Sequence, residues 1–128
     1  MSDLNVSLVT PDREIFSGTA SVVIARTSEG EIGIGRDHEP VMALLAEGGV
    51  VRIDTTDNQK IVAAVHGGFL SVDSNNVTIL GQVAELASDI DVTRARAALE
   101  RARQTQDDRA AAAARRAEAR LQAAGIMQ

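Results

Sequence analysis

The 128 residues, 45% hydrophobic and 24% charged, suffice for one folded domain or a small domain with an appendage. No apolar run approaches the ~20 residues of a membrane helix, no secretory leader is visible, and zero cysteine excludes a disulfide framework and thiolate chemistry. The formal charge of −5 is divided: residues 1–90 hold 13 acidic and 5 basic groups, residues 91–128 hold 5 acidic and 8 basic ones.

Glycine divides the same way, nine of ten lying at or before Gly81. Two physical objects are therefore expected, 1–88 and 89–128.

The first reads as strands. Leu4, Val6 and Leu8 alternate with Asn5, Ser7 and Val9, and Pro11-Asp12 is a turn signal. Ala20, Val22 and Ile24 alternate with Ser21, Val23 and Ala25, which puts the first three on one apolar face. Gly48-Gly49 separates Val41–Ala46 from Val50–Ile53, and Thr55–Gln59 is a polar turn before Lys60–Val65. Phe69–Val72 and Val77–Leu80 read as a hairpin with a longer loop, and Val83–Leu86 as a last short strand. Eight to ten short strands without helical period predict an antiparallel β-sandwich or barrel.

The second object reads as two helices. Thirteen of the thirty residues from Ala95 to Ala124 are alanine, and residues 91–124 hold no Gly or Pro. Asp91 suits an N-cap, with Ile90 as a staple residue before it. Val92, Ala95, Leu99 and Ala102 form one stripe. Gln104–Asp108 breaks it, with Asp107-Asp108 suited to start the next helix. Ala110, Ala114, Ala117, Leu121 and Ala124 form a second stripe, closed by Gly125. The expectation is mostly β plus α: an antiparallel sandwich followed by an antiparallel two-helix hairpin. The stripes hold only three large apolar residues, each worth roughly 1.5–3 kcal/mol when fully buried, so a weakly docked, mobile arm is expected.

Catalytic patterns are missing. There is no GxSxG, HExxH or GxxxxGK[ST], and the carboxylate pairs Glu29/Glu31 and Asp107/Asp108 have no nucleophile beside them. His38 reads as a surface or interface residue, His66 as a strand-end residue, and no metal site is expected. The only aromatics are Phe16 and Phe69, which disfavours base stacking. Two alternatives stay open on these grounds: a small-molecule-binding β domain with a dimerising hairpin, and a nucleic-acid-binding module using the Arg-rich arm.

Four stretches go further. LNVSLVTPDREIFSG, SEGEIGIGRDHEPV, HGGFLSVDSNNVTILGQVAE and DIDVTRARAALERA stand in the order of the epsilon subunit of bacterial F-type ATP synthases, and the chain resembles that family. It departs where Arg36-Asp37 replaces Pro-Gly, where His66 replaces a small residue, and in a shorter arm.

The resemblance implies a non-catalytic rotor part, peripheral on the cytoplasmic face of the bacterial membrane, without nucleic acid and without a required cofactor. It implies a c-ring contact at Glu29, Gly30 and Glu31, and a gamma-subunit contact at His38 and Met42. It implies an arm that reaches the alpha/beta head and brakes ATP hydrolysis. It also implies ATP as a regulatory ligand at Glu85, Asp91, Arg94, Arg101, Arg116 and Arg120.

Overall fold

The computed structural model describes residues 3–104 and 108–125. Seven strands come first: β1 (Leu4–Val9), β2 (Glu14–Thr27), β3 (Gly30–Gly35), β4 (Val41–Leu44), β5 (Gly49–Thr55), β6 (Lys60–Asp73) and β7 (Asn76–Leu86). A 3-10 turn (Ala87–Asp89) leads to helices α1 (Val92–Arg103) and α2 (Asp108–Ala123). Asp107 and the rest of 105–107 lie outside the described residues.

The strands pair in the order β1-β7-β6-β5-β2-β3, with β4 on β6 and β1 returning to β2. That return closes a flattened barrel and leaves no edge along its main circuit. Seven strands replace the expected eight to ten short ones because β2, β6 and β7 are long and serve both layers. The first half of β2 pairs with β1, its second half with β3 and β5. The first half of β6 pairs with β5, its second half with β4. Val83–Leu86 is the far half of β7, continuous with Val77–Leu80.

Two sequence expectations fail at single residues. Ser21 is an extra residue in β2, between the pairs Ala20↔Thr55 and Val22↔Asp54. Past this bulge the inward parity flips. Ala20 is buried, but so are Val23 and Ala25, whereas Val22 and Ile24 are only half-buried. The hairpin between β6 and β7 has no longer loop either. Asp73 pairs with Asn76, and Ser74 and Asn75 turn the chain at φ 50° and 64°, the tight geometry that suits strand twist.

Asn75 does a second job. Its side chain accepts from the Asp37 N–H at 2.7 Å, and its amide donates to Asp37 Oδ1 at 3.2 Å. Asp37 itself sits at φ 61°. The loop that lacks Pro-Gly thus keeps a left-handed residue, anchored from across the barrel.

The interior is filled by alternate residues of every strand but β4, among them Leu4, Leu8, Ile34, Ile53, Leu70 and Ile79. A separate cluster, Ala95, Leu99, Ala117 and Leu121 with Val92, glues α1 to α2. Asp91 caps α1, its carboxylate accepting from the Arg94 N–H at 3.0 Å. Ile90 does not staple α1; it packs with Ala64, Ala119 and Ala123 under α2. The second stripe holds at Ala110, Ala117 and Leu121, which are buried, and at Ala114, which packs on the same cluster; Ala124 is only half-buried, and Ala119 and Ala123 form a further buried face, toward the barrel, outside the expected stripe.

Among the described residues, the core of the barrel contains none from the hairpin. Deleting residues 91–128 is therefore expected to leave the β signal in circular dichroism intact and remove the helical signal. A loss of the β signal would show the arm to be part of the core.

Candidate functional site

Three surfaces carry the candidate residues. The first is β4, a short strand outside the closed circuit. Met42 is 72% exposed and Leu44 67% exposed, side by side on its outer face. Two large apolar side chains on a short edge strand form the kind of patch that a partner covers. His38, half-buried in the preceding loop, donates from Nδ1 to the Glu39 carbonyl at 2.7 Å, which fixes its ring against the chain. Leu44 was not singled out from the sequence; the alternation Met42-Ala43-Leu44 is the signal that would have found it.

The second is the tip between β2 and β3. Glu29 is in the turn, Gly30 and Glu31 begin β3, and both acids are exposed. Thr27, largely buried, steadies this tip: its hydroxyl donates to the Gly30 carbonyl at 2.7 Å and accepts from the Glu29 N–H at 3.2 Å. Gly30 also lines a cavity of about 580 Å³ that runs between this tip, the β4–β5 turn and α2.

The third surface is the seam between α2 and the outer face of β5 and β6. Here Ala119 and Ala123 meet Ala64, with Val50, Val62 and Ile90 around them. Small side chains on both sides let the helix lie close. Gly48 shows how close: at φ +75°, a Cβ there would fall 2.4 Å from the Arg115 carbonyl oxygen. Two ion pairs flank the alanines. Arg116 Nη1 lies 2.7 Å from Glu47 Oε1, and Arg120 Nε lies 2.5 Å from Glu85 Oε1. All four side chains are partly exposed, so each pair contributes at most ~1 kcal/mol.

His66 is not a strand-end residue. It lies within β6 and is 2% exposed. Burial first, and then the guanidinium of Arg120, lower its pKa from 6.5 to about 4. Glu85 Oε1 is 3.8 Å from Nε2, too far for a hydrogen bond and already held by Arg120, so the ring is neutral near pH 7.

Beside the seam lies a cleft of about 450 Å³. Glu85, Asp91, Arg94, Arg101 and Arg120 line it, with Asp89, Ala95 and Ala98. Five of the six residues expected at a nucleotide site thus meet around one space. Arg116 does not: it is turned to Glu47 and lines a different groove, with Arg101 and Arg109. The reason is helical geometry. Arg116 and Arg120 are one turn apart, but the alanine seam directs the first to the β4–β5 turn and the second to β7. Asp91 contributes less than expected, since one of its oxygens already caps α1.

This fold and this sequence have known counterparts. The family described as ATP synthase, Delta/Epsilon chain, beta-sandwich domain matches residues 3–87. The chain belongs to the ATP synthase delta/epsilon family. An ATP synthase epsilon chain from Streptomyces coelicolor is 49% identical over 123 residues, 96% of each chain, so the similarity extends through the arm. One from Rhodococcus opacus is 56% identical over 99 residues, 77% of this chain and 81% of that one. Among solved structures, the Euglena gracilis mitochondrial ATP synthase, OSCP/F1/c-ring in rotational state 1, contains a similar chain. It has a TM-score of 0.75 and 26% identity, covering 98% of this chain and 79% of that one.

Gly48→Val tests the seam. A side chain there collides with the α2 backbone and requires a left-handed φ, so the helix must lift. Expected is a several-fold faster tryptic cleavage at Arg115 and Arg120 with an unchanged β signal. Cleavage at the wild-type rate would mean that the close approach does not hold the arm.

Proposed function

We propose that this chain is the epsilon subunit of a bacterial F-type ATP synthase, a non-catalytic rotor component that is peripheral to the membrane on its cytoplasmic face. In this reading the barrel binds the gamma subunit through β4 and its loop, with Met42 and Leu44 as apolar anchors and His38 beside them. Its β2–β3 tip, with Glu29, Gly30 and Glu31, meets the polar loops of the c-ring. The hairpin is a regulatory arm, held down in the form described here and extended toward the alpha/beta head when it brakes hydrolysis.

One observation carries this reading: among the described residues, the hairpin's large side chains Leu99 and Leu121 pack between its own helices, and α2 meets the barrel through alanines and two ion pairs. An element with its own cohesion and a small docking area can leave as a unit. A closed barrel with a filled interior suits the opposite task, holding shape under torque.

ATP fits the cleft as a regulatory ligand. Its volume lies within the range of small-molecule sites, and three arginines stand around it. Arg94 and Arg101, one heptad apart on α1, are placed to take phosphate oxygens by charge-assisted hydrogen bonds. Glu85 and Asp89 are acceptors for an exocyclic amine. Arg120 comes from α2 and Glu85 from β7, so a ligand touching both would clip the arm down. Arg116 has no part in this site. In this reading ATP is a ligand that holds the arm, not a substrate.

Met42→Asp is expected to abolish capture of gamma and c subunits by tagged chain from detergent-solubilised membranes, because the interface would bury an unpaired charge. Wild-type capture would show that β4 is not the gamma contact.

Calorimetry tests the ligand. The wild-type chain is expected to bind ATP more tightly than millimolar, and Arg94→Ala to weaken it by about tenfold or more. No heat for either protein at millimolar ATP would remove the nucleotide from this reading and leave Asp91-Arg94 as a helix cap.

A further inference from the structure

The seam contains one polar side chain that makes no bond. His66 is buried in the face that α2 covers, and neither Nδ1 nor Nε2 has a hydrogen-bond partner among the described residues. A buried ring without a partner is costly, and no catalytic or binding role uses it. It does have charged neighbours, on every element around it. Glu85 comes from β7, Glu47 from the β4–β5 turn, and Arg116 and Arg120 from α2. Lys60 heads the same row of β6 and is exposed; Arg52 and Asp54 on β5 pair with each other. Asp89, Asp91, Arg94 and Arg101 share the neighbouring cleft with Glu85 and Arg120.

The two carboxylates do not serve the ring. Each is engaged by an arginine of α2, Glu47 by Arg116 and Glu85 by Arg120. While the helix is down, a proton on His66 would therefore stand in a buried place between two guanidinium groups whose counter-charges are already used. Once the helix lifts, the arginines leave with it. Glu47 and Glu85 stay on the barrel beside a ring that now faces water, and both then favour its charged form.

We infer that His66 is a proton-operated latch: protonating it releases the helical arm from the barrel, and its neutral ring lets the arm close. This rests on the reading of the hairpin as a movable arm.

The sign follows from the two states. In the docked state the ring's pKa is about 4; in the lifted state it returns to the ordinary 6.5 or above. Docking is thus at full strength above pH 6.5. As pH falls from 6.5 toward 4, the lifted state binds a proton that the docked state refuses. The docking equilibrium weakens by about tenfold per pH unit in this window, roughly 300-fold in all. Acid on the side of the membrane where the arm works would free it. In the proposed reading, that engages the brake when protons accumulate there.

The chain has no cysteine and only two histidines, which makes the test clean. Fluorescent labels on cysteines at the exposed positions Thr78 and Glu100 report the distance from barrel to arm in the full chain. Wild type, His66→Gln and His66→Ser are compared from pH 8 to pH 4.5, with the β signal followed at each pH. Ring titration of His66 by NMR, with His38 as internal reference, is measured in the full chain and in Arg116→Ala/Arg120→Ala.

The latch predicts that the wild-type arm lifts on acidification with a one-proton slope. It predicts that neither neutral variant shows that slope, and that the His66 titration moves up toward 6.5 in the double-arginine variant. Equal slopes in wild type and both variants would overturn the latch while leaving the movable arm in place. An arm that stays down at every pH, in the double-arginine variant as well, would overturn both.

Discussion

The contact that the rest of this molecule depends on is a seam of alanines. Ala119 and Ala123 on α2 meet Ala64 on β6, and Gly48 lets the helix backbone come within the space of a methyl group. Close approach gives many weak contacts, yet little apolar area is removed from water, because the residues are small. The larger side chains of the hairpin are turned inward, toward each other. Two layers of cohesion result. Within the barrel and within the hairpin it is strong, and between them it is slight and supplemented by ion pairs at the margins.

That division explains why charged residues gather at the seam. A helix that docks on alanine alone has little to set its register along the sheet. Arg116 to Glu47 and Arg120 to Glu85 set it at two points one helical turn apart. The same geometry places the cleft. Because Arg120 is drawn to Glu85, it lines the same cleft as Arg94 and Arg101 of α1, where barrel and both helices meet. In the proposed reading, docking and ligand binding share Arg120 and Glu85, so each would influence the other. His66 is buried near the same pair, where the proposed latch would add a proton to that linkage.

The barrel is built for the opposite behaviour. Long strands β2 and β6 run from one layer to the other, so the layers cannot slide without breaking both. Gly68 marks where β6 makes that passage: at φ +104°, a Cβ would lie 1.8 Å from the Leu80 carbonyl oxygen. β3 and β4 stand outside the closed circuit, and on β4 Met42 and Leu44 face water. Two large apolar side chains outward on a short strand make the patch that the proposed reading gives to a partner.

Much of this was legible beforehand. Period-2 alternation marked β1, runs between turn signals marked β5–β7, glycine and charge marked a change of character near Asp91, and alanine content marked the helices. Family resemblance brought Glu85, Asp91, Arg94, Arg101 and Arg120 together as candidates, and they do line one cleft. What failed was local in cause. A single extra residue, Ser21, reversed the faces of β2, and a bulge leaves no mark in hydropathy. The second buried face of α2, Ala119 and Ala123, went unseen because, in an alanine-rich helix, buried and exposed positions look alike.

The amino-acid sequence by itself determined the two objects, their class and their order, since periodicity and helix propensity act within a few neighbouring residues. Only the tertiary structure decided which face of α2 meets the barrel, where Arg116 turns, and that His66 is buried. Those depend on which strand lies beneath the helix, and pairings such as Glu47–Arg116, 69 positions apart, are set by packing rather than by any local pattern.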